Sequence, residues 1–228
     1  MEHGLRAAIL VVVACAGVAG QPPAAPSGKR VEAGKNVVLE IPETGQRRVR
    51  IAGEVCFREG LLELFLCRKN TKEHEAIVAA DVDARDVHKA LLAAGAKAGK
   101  PVQFRPKYTP ATGSKVLVSV EYVKDGKTVT VPARQWVRDS KSGKELSTDW
   151  VFGGSFFIPD TDDPKKPPHY AANGGDVICV SNFETAMLDL PIESSQANAD
   201  LQFEAFTERI PPLGTKVTVI LEPVPEKK

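Results

Sequence analysis

The chain has 228 residues, 43% of them hydrophobic, 26% charged and 6% aromatic, close to the composition of ordinary globular domains. That excludes full disorder, a collagen-like repeat and a small scaffold dependent on disulfides, and at roughly 150 residues per domain it leaves room for one body with appendages. Thirty basic against twenty-nine acidic residues give a net charge of +1, so there is no Lys and Arg surplus to bind nucleic acid through counterion release.

Residues 1–20 read as an export signal: Arg6 is the only Lys or Arg, and an apolar run follows from Ala7 to Ala14. A helix that spans a bilayer needs about twenty apolar residues, so this run is too short to stay in one. Val12-Val13-Ala14-Cys15 is lipobox-like and would be lipidated on Cys15. Alternatively Val18, Ala19 and Gly20 offer a cut just before Gln21. Either route predicts an extracytoplasmic protein, lipid-anchored to the membrane or periplasmic/secreted. Residues 21–34, rich in Pro, Ala and Gly, are expected to be a flexible tether. Residues 35–223 then read as a single domain and 224–228 as a charged tail.

Within the domain, Asn36 to Ile41 predicts a strand closed by the turn Pro42-Glu43-Thr44-Gly45. Val49, Ile51, Val55 and Phe57 share one face, as do Leu62, Leu64 and Leu66, and Glu59-Gly60 between them predicts a hairpin. The clearest helix covers about 84–94: Asp83 caps it, Gly95 ends it, and Val87, Ala90, Leu91 and Ala94 form its apolar stripe. Lys115 to Val123 and Lys127 to Val131 flank Asp125-Gly126, a strong hairpin signal. Val177 to Val180 reads as a buried strand, Glu184 to Leu188 as one helical turn capped by Ser181 or Asn182, and Val217 to Leu221 as a last strand. The sum is an α+β domain: a mainly antiparallel sheet with one helix and long loops.

After processing at Cys15, three cysteines remain. In the expected hairpin Cys56 lies opposite position 63, which puts Cys67 about 13 Å away and rules out a local disulfide. Free buried thiols, or a bridge from Cys179 to one of the other two, are left open. No iron–sulfur ligand pattern occurs.

Thr71-Lys72-Glu73-His74-Glu75 is the densest chemical cluster, and Glu73, His74 and Glu75 are the candidate catalytic residues. Their spacing does not give the two-histidine face of a zincin, so no metal or cofactor is expected from it. Gly153-Gly154-Ser155 lacks the second glycine of a nucleophile elbow, and Gly126-Lys127-Thr128 lacks the first glycine of a P-loop. Trp136, Asp149, Trp150, Ser155, Tyr170, Asn182 and Phe183 form the candidate ligand or partner surface, because Trp and Tyr combine a large apolar face with a polar handle.

Three segments, TKEHE at 71–75, DWVFGGS at 149–155 and VSNFETAMLDLP at 180–191, resemble the YdjY-domain proteins, a family of exported bacterial proteins, over about residues 35–223. The resemblance implies export and the extent of the domain, and it brings no catalytic residues. The resulting expectation is a non-catalytic binding or structural module of the cell envelope. Its partner would be an envelope component or small ligand, with membrane contact only through a lipid anchor. The alternative is an exported hydrolase or metal-dependent enzyme using Glu73, His74 and Glu75.

Overall fold

The computed structural model describes residues 28–194 and 202–225. The export signal, Cys15, residues 21–27 of the expected tether and residues 226–228 of the tail lie outside them. Eight strands form a closed ring: β3 (Arg48–Val55), β15 (Lys216–Pro223), β6 (Lys115–Lys124), β9 (Trp150–Phe152), β13 (Leu188–Asp189), β12 (Ile178–Cys179), β4 (Leu64–Arg68) and β5 (Ala76–Ala80), which pairs back onto β3. The expected α+β class with an open antiparallel sheet is therefore corrected to a mainly β, closed eight-stranded barrel. The physical reason is the seam: Glu54 pairs with Ala79 and Val55 with Val78, and these two long-range pairs leave no local trace in the chain.

Two long strands organise the barrel. β3 pairs along its length with β15; on its other edge its first half pairs with β2 (Val37–Pro42) and its last two residues with β5. Gly53 stands at this change of partner, and a Cβ there would meet the Ala79 carbonyl oxygen at 2.8 Å. β6 likewise pairs with β15 on one edge and, on the other, first with β9 and then with β7 (Lys127–Pro132). Alternation turns Val49 and Ile51 of β3, Val116, Val118 and Val120 of β6 and Val217, Val219 and Leu221 of β15 into the core. The β6–β7 hairpin matches its sequence signal, with Asp125 at φ +50 and Gly126 at φ +73.

Two other expectations change. Residues 28–34 of the expected tether form β1 (Gly28–Gly34), paired antiparallel with β2. The expected 49–66 hairpin does not exist, because β5 inserts between β3 and β4: it is antiparallel to the first and parallel to the second. Two apolar strands near a Glu-Gly turn look alike whether they pair with each other or with a third strand.

The helix α1 (Ala84–Ala93), the one α-helix among the described residues, forms as the sequence predicts. The Asp83 carboxylate accepts from the Arg85 backbone N–H at 2.9 Å, and Gly95 takes φ +97 just past the end. Its buried side chains, Ala84, Val87, Ala90 and Leu91, pack over β1–β3. The one helical turn expected over 184–188 is instead an irregular bend leading into β13.

Candidate functional site

The core absorbs both tryptophans. Trp136 and Trp150 are 1% and 0% exposed, and Phe65 packs against both, with ring centroids 6.3 and 5.8 Å away. The Trp150 indole N–H donates to the Cys179 carbonyl at 2.7 Å. These two rings, expected at a partner surface, therefore line no exterior surface: a closed barrel needs large side chains to fill its interior, and the indoles meet that need.

Four of the remaining expected surface residues fall into three places. Asp149 is held by Lys115 at 2.7 Å and Arg134 at 3.2 Å. Ser155, at φ +53, donates to the Thr185 carbonyl at 2.7 Å and accepts from the Ala172 N–H at 3.1 Å. Beside it the Tyr170 hydroxyl donates to the Gly154 carbonyl at 2.5 Å and lies 2.8 Å from His88 Nδ1. Burial holds the His88 imidazole below its ordinary pKa and pushes the Tyr170 hydroxyl up. Asn182 is buried and joins Asp189 to Tyr108: its amide donates to Asp189 at 3.1 Å and its oxygen accepts from the Tyr108 hydroxyl at 3.1 Å.

The TKEHE cluster divides. Residues 69–75 form a tight turn. Glu73 folds back so that its carboxylate accepts from the Asn70 and Thr71 backbone N–H groups, and His74 leaves its side chain 76% exposed, 3.6 Å from Glu75. Lys72 turns inward. Its ammonium lies 3.1 Å from Asp176, 3.6 Å from Glu75 and 3.7 Å from Glu63, and 4.5 Å from the centroid of the Phe183 ring.

The backbone builds this corner. The Glu63 N–H donates to the Glu75 carbonyl, and the Glu63 carbonyl accepts from Val180 and Ser181, so the β4 entry, the turn and the 176–187 segment are tied together. Asp176 Oδ2 accepts from the Thr185 hydroxyl at 2.5 Å, while Oδ1 makes no hydrogen bond of good geometry and faces the Lys72 charge.

Electrostatics give the corner its character. Burial, together with the charge of Glu75 and a hydrogen bond to it, pushes the Glu63 carboxyl up to about 7. Burial works against the Lys72 charge, but Asp176, Glu75 and Glu63 outweigh it and hold the ammonium above its usual pKa. Deeper in, Asp189 is 0% exposed, and burial raises its carboxyl to about 7 despite bonds from Asn182 and Leu190; its Oδ2 has no hydrogen-bond partner. The corner thus holds one fixed cation, a carboxylate surplus and a carboxyl that exchanges its proton near neutrality.

Glu63, Asp176 and Asp189 were missed as site residues by sequence reasoning, although a signal was present. Each is a lone carboxylate beside or inside an apolar run, as in Leu62-Glu63-Leu64 and Leu188-Asp189-Leu190, where a buried charge needs a reason. Among the described residues no three His, Cys, Asp or Glu side chains are grouped to hold a metal ion, and no helix is long and apolar enough to cross a membrane.

The family model of the YdjY domain matches residues 43–222, most of the chain and nearly the whole barrel. Comparison with curated proteins and with solved structures gave no match.

Proposed function

The chain belongs to the YdjY-domain family, and from that premise we propose that it is a non-catalytic binding module of the cell envelope, contacting its partner through the Lys72–Glu63–Glu75–Asp176–Phe183 corner. The observation that carries this reading is the partly buried Lys72 ammonium, held 3.1 Å from Asp176, 3.6 Å from Glu75 and 3.7 Å from Glu63 beside the Phe183 ring. Around one ammonium the corner sets three carboxylates and an aromatic face, so it suits a partner that brings a second cationic group, an ammonium or guanidinium. Such a cation would favour the ionised Glu63 and displace its proton, so binding strengthens as pH rises through about 7. The Cys15 lipobox or a cut before Gln21 would place the module outside the cytoplasm.

The test is a titration of the full chain with oligolysine, and with oligoglutamate as the charge-reversed control, at pH 6 and pH 8. The expected result is oligolysine binding that is tighter at pH 8, with the pH dependence lost in Glu63→Gln. Equal binding of both oligomers, or none, would refute the contact site. Mass spectrometry of the mature amino terminus tests the location separately, and an intact Met1 would refute export.

The same carboxyl favours a second reading, an exported hydrolase, because a group with a pKa near 7 suits general acid–base work. In that reading Glu63 with Glu75 replaces the Glu73, His74 and Glu75 set. Hydrolysis of a generic ester or glycoside that disappears in Glu63→Gln would establish it over the binding module.

A further inference from the structure

The strand β1 lies at the edge of the large sheet: among the described residues it pairs only with β2, and residues 28–32 are all exposed. Its outer edge therefore offers a row of backbone N–H and C=O groups with no strand opposite, a template for one more strand. Arg30 and Glu32 stand two positions apart and so share one face of the sheet. Arg30 belongs to a cross-strand row, Arg30–Glu40–Arg48, set by the register of β1 on β2 and of β2 on β3. Glu40, with its side chain 3% exposed, lies 3.0 Å from Arg30 and also pairs with Arg48, yet the Arg30 side chain stays 58% exposed. Glu32 stands opposite Val38 and makes no ion pair among the described residues. The row thus alternates in sign and lacks an anion at its outer end, while Glu32 beside it lacks a cation.

We propose that a second copy of this chain adds its own β1 antiparallel to this edge, on a two-fold axis through Val31. On that axis the two Val31 side chains face each other, and symmetry sets Arg30 of each copy opposite Glu32 of the other, two ion pairs from one contact. The row then runs from the second copy's Glu32 through Arg30 and Glu40 to Arg48, with signs alternating throughout. Residues directly opposite in an antiparallel pair share a face, so a symmetric pairing has its axis at a residue, and the neighbouring choices are worse. An axis at Arg30 sets that arginine against itself, and one at Glu32 does the same for the carboxylate. The register of β1 on β2 shifts only beyond Glu32, so the Arg30–Val31–Glu32 centre lies on regular strand. Charged side chains protect a sheet edge when like charges would meet on pairing, whereas here opposite charges meet. This surface is separate from the carboxylate corner, so neither proposal depends on the other.

Sedimentation velocity of the full chain with Cys15→Ser, over a series of concentrations, should show a monomer–dimer equilibrium. Glu32→Arg turns both ion pairs into contacts between arginines and should weaken dimerisation by roughly tenfold or more, while the urea midpoint of the monomer stays unchanged. Cross-linking reads the register without altering these charges. Directly opposite Cα atoms in an antiparallel pair stand about 4.5–5.5 Å apart, within disulfide reach, so Val31→Cys should give a disulfide-linked dimer under mild oxidation. Lys29→Cys should give none, because the two copies of position 29 are offset by four residues, about 13 Å along the strand. A monomer at every concentration, a dimer unaffected by Glu32→Arg, or equal cross-linking through Lys29→Cys and Val31→Cys would overturn the proposal.

Discussion

Replacing Glu63 by Gln tests the electrostatics of the carboxylate corner. Gln keeps the size and the hydrogen-bonding oxygen of the protonated acid but never ionises. In the fold the Glu63 carboxyl titrates at about 7, against an ordinary value of 4.5, so the folded state binds its proton more tightly than the unfolded chain does. The difference corresponds to about 3 kcal/mol, an upper limit because Lys72 offsets part of the charge. A raised folded-state pKa means that this stabilisation is complete below about 4.5 and is lost as pH rises through about 7. The wild-type chain and Glu63→Gln should therefore be nearly equal in stability at pH 5. At pH 8 the variant should be the more stable, by roughly 1–3 kcal/mol. Urea unfolding followed by the two buried tryptophans reads this difference directly. Asp189, also raised to about 7, adds its own pH dependence to both proteins and cancels in the comparison. A stability difference that stays constant between pH 5 and pH 8 would refute the argument.

Trp150→Ala removes a fully buried indole and its bond to the Cys179 carbonyl, and should cost about 3–5 kcal/mol in urea unfolding. A cost below about 1 kcal/mol would mean that the barrel interior is not packed around it. Two glycines in left-handed conformations should respond differently to alanine. At Gly113, φ +130, a Cβ would drive into the Phe152 carbonyl oxygen, and roughly 3 kcal/mol or more should be lost. At Gly126, φ +73, a Cβ meets nothing within 4 Å, and the loss should stay near 1 kcal/mol. Equal urea midpoints for the two variants would contradict the close approach of the 113 and 152 backbones.

Local grammar was legible wherever neighbouring residues decide the outcome. Asp83 and Gly95 bracket α1 because a side-chain cap and a left-handed stop act within one turn. Asp125-Gly126 sets the β6–β7 hairpin because that turn requires two positive φ angles in succession. The alternation of Val116, Val118 and Val120 announces which face is buried. The Lys72–Glu75 part of the TKEHE cluster was visible as chemistry, but its direction was not: on an extended strand Lys72 and Glu75 would point to opposite faces, whereas the 69–75 turn brings them to 3.6 Å.

The amino-acid order by itself settled the composition class, the helix α1, the tight hairpin and the family to which residues 43–222 belong. Tertiary structure alone decided that the sheet closes, since the β3–β5 seam joins residues more than twenty positions apart through two pairs. It also decided that Trp136 and Trp150 face inward, and that Glu63, Asp176 and Lys72 meet. Periodicity tells a residue which side of its own strand it occupies. Only long-range pairing tells the strand which neighbour it has, and burial of charge becomes visible only when those neighbours are known.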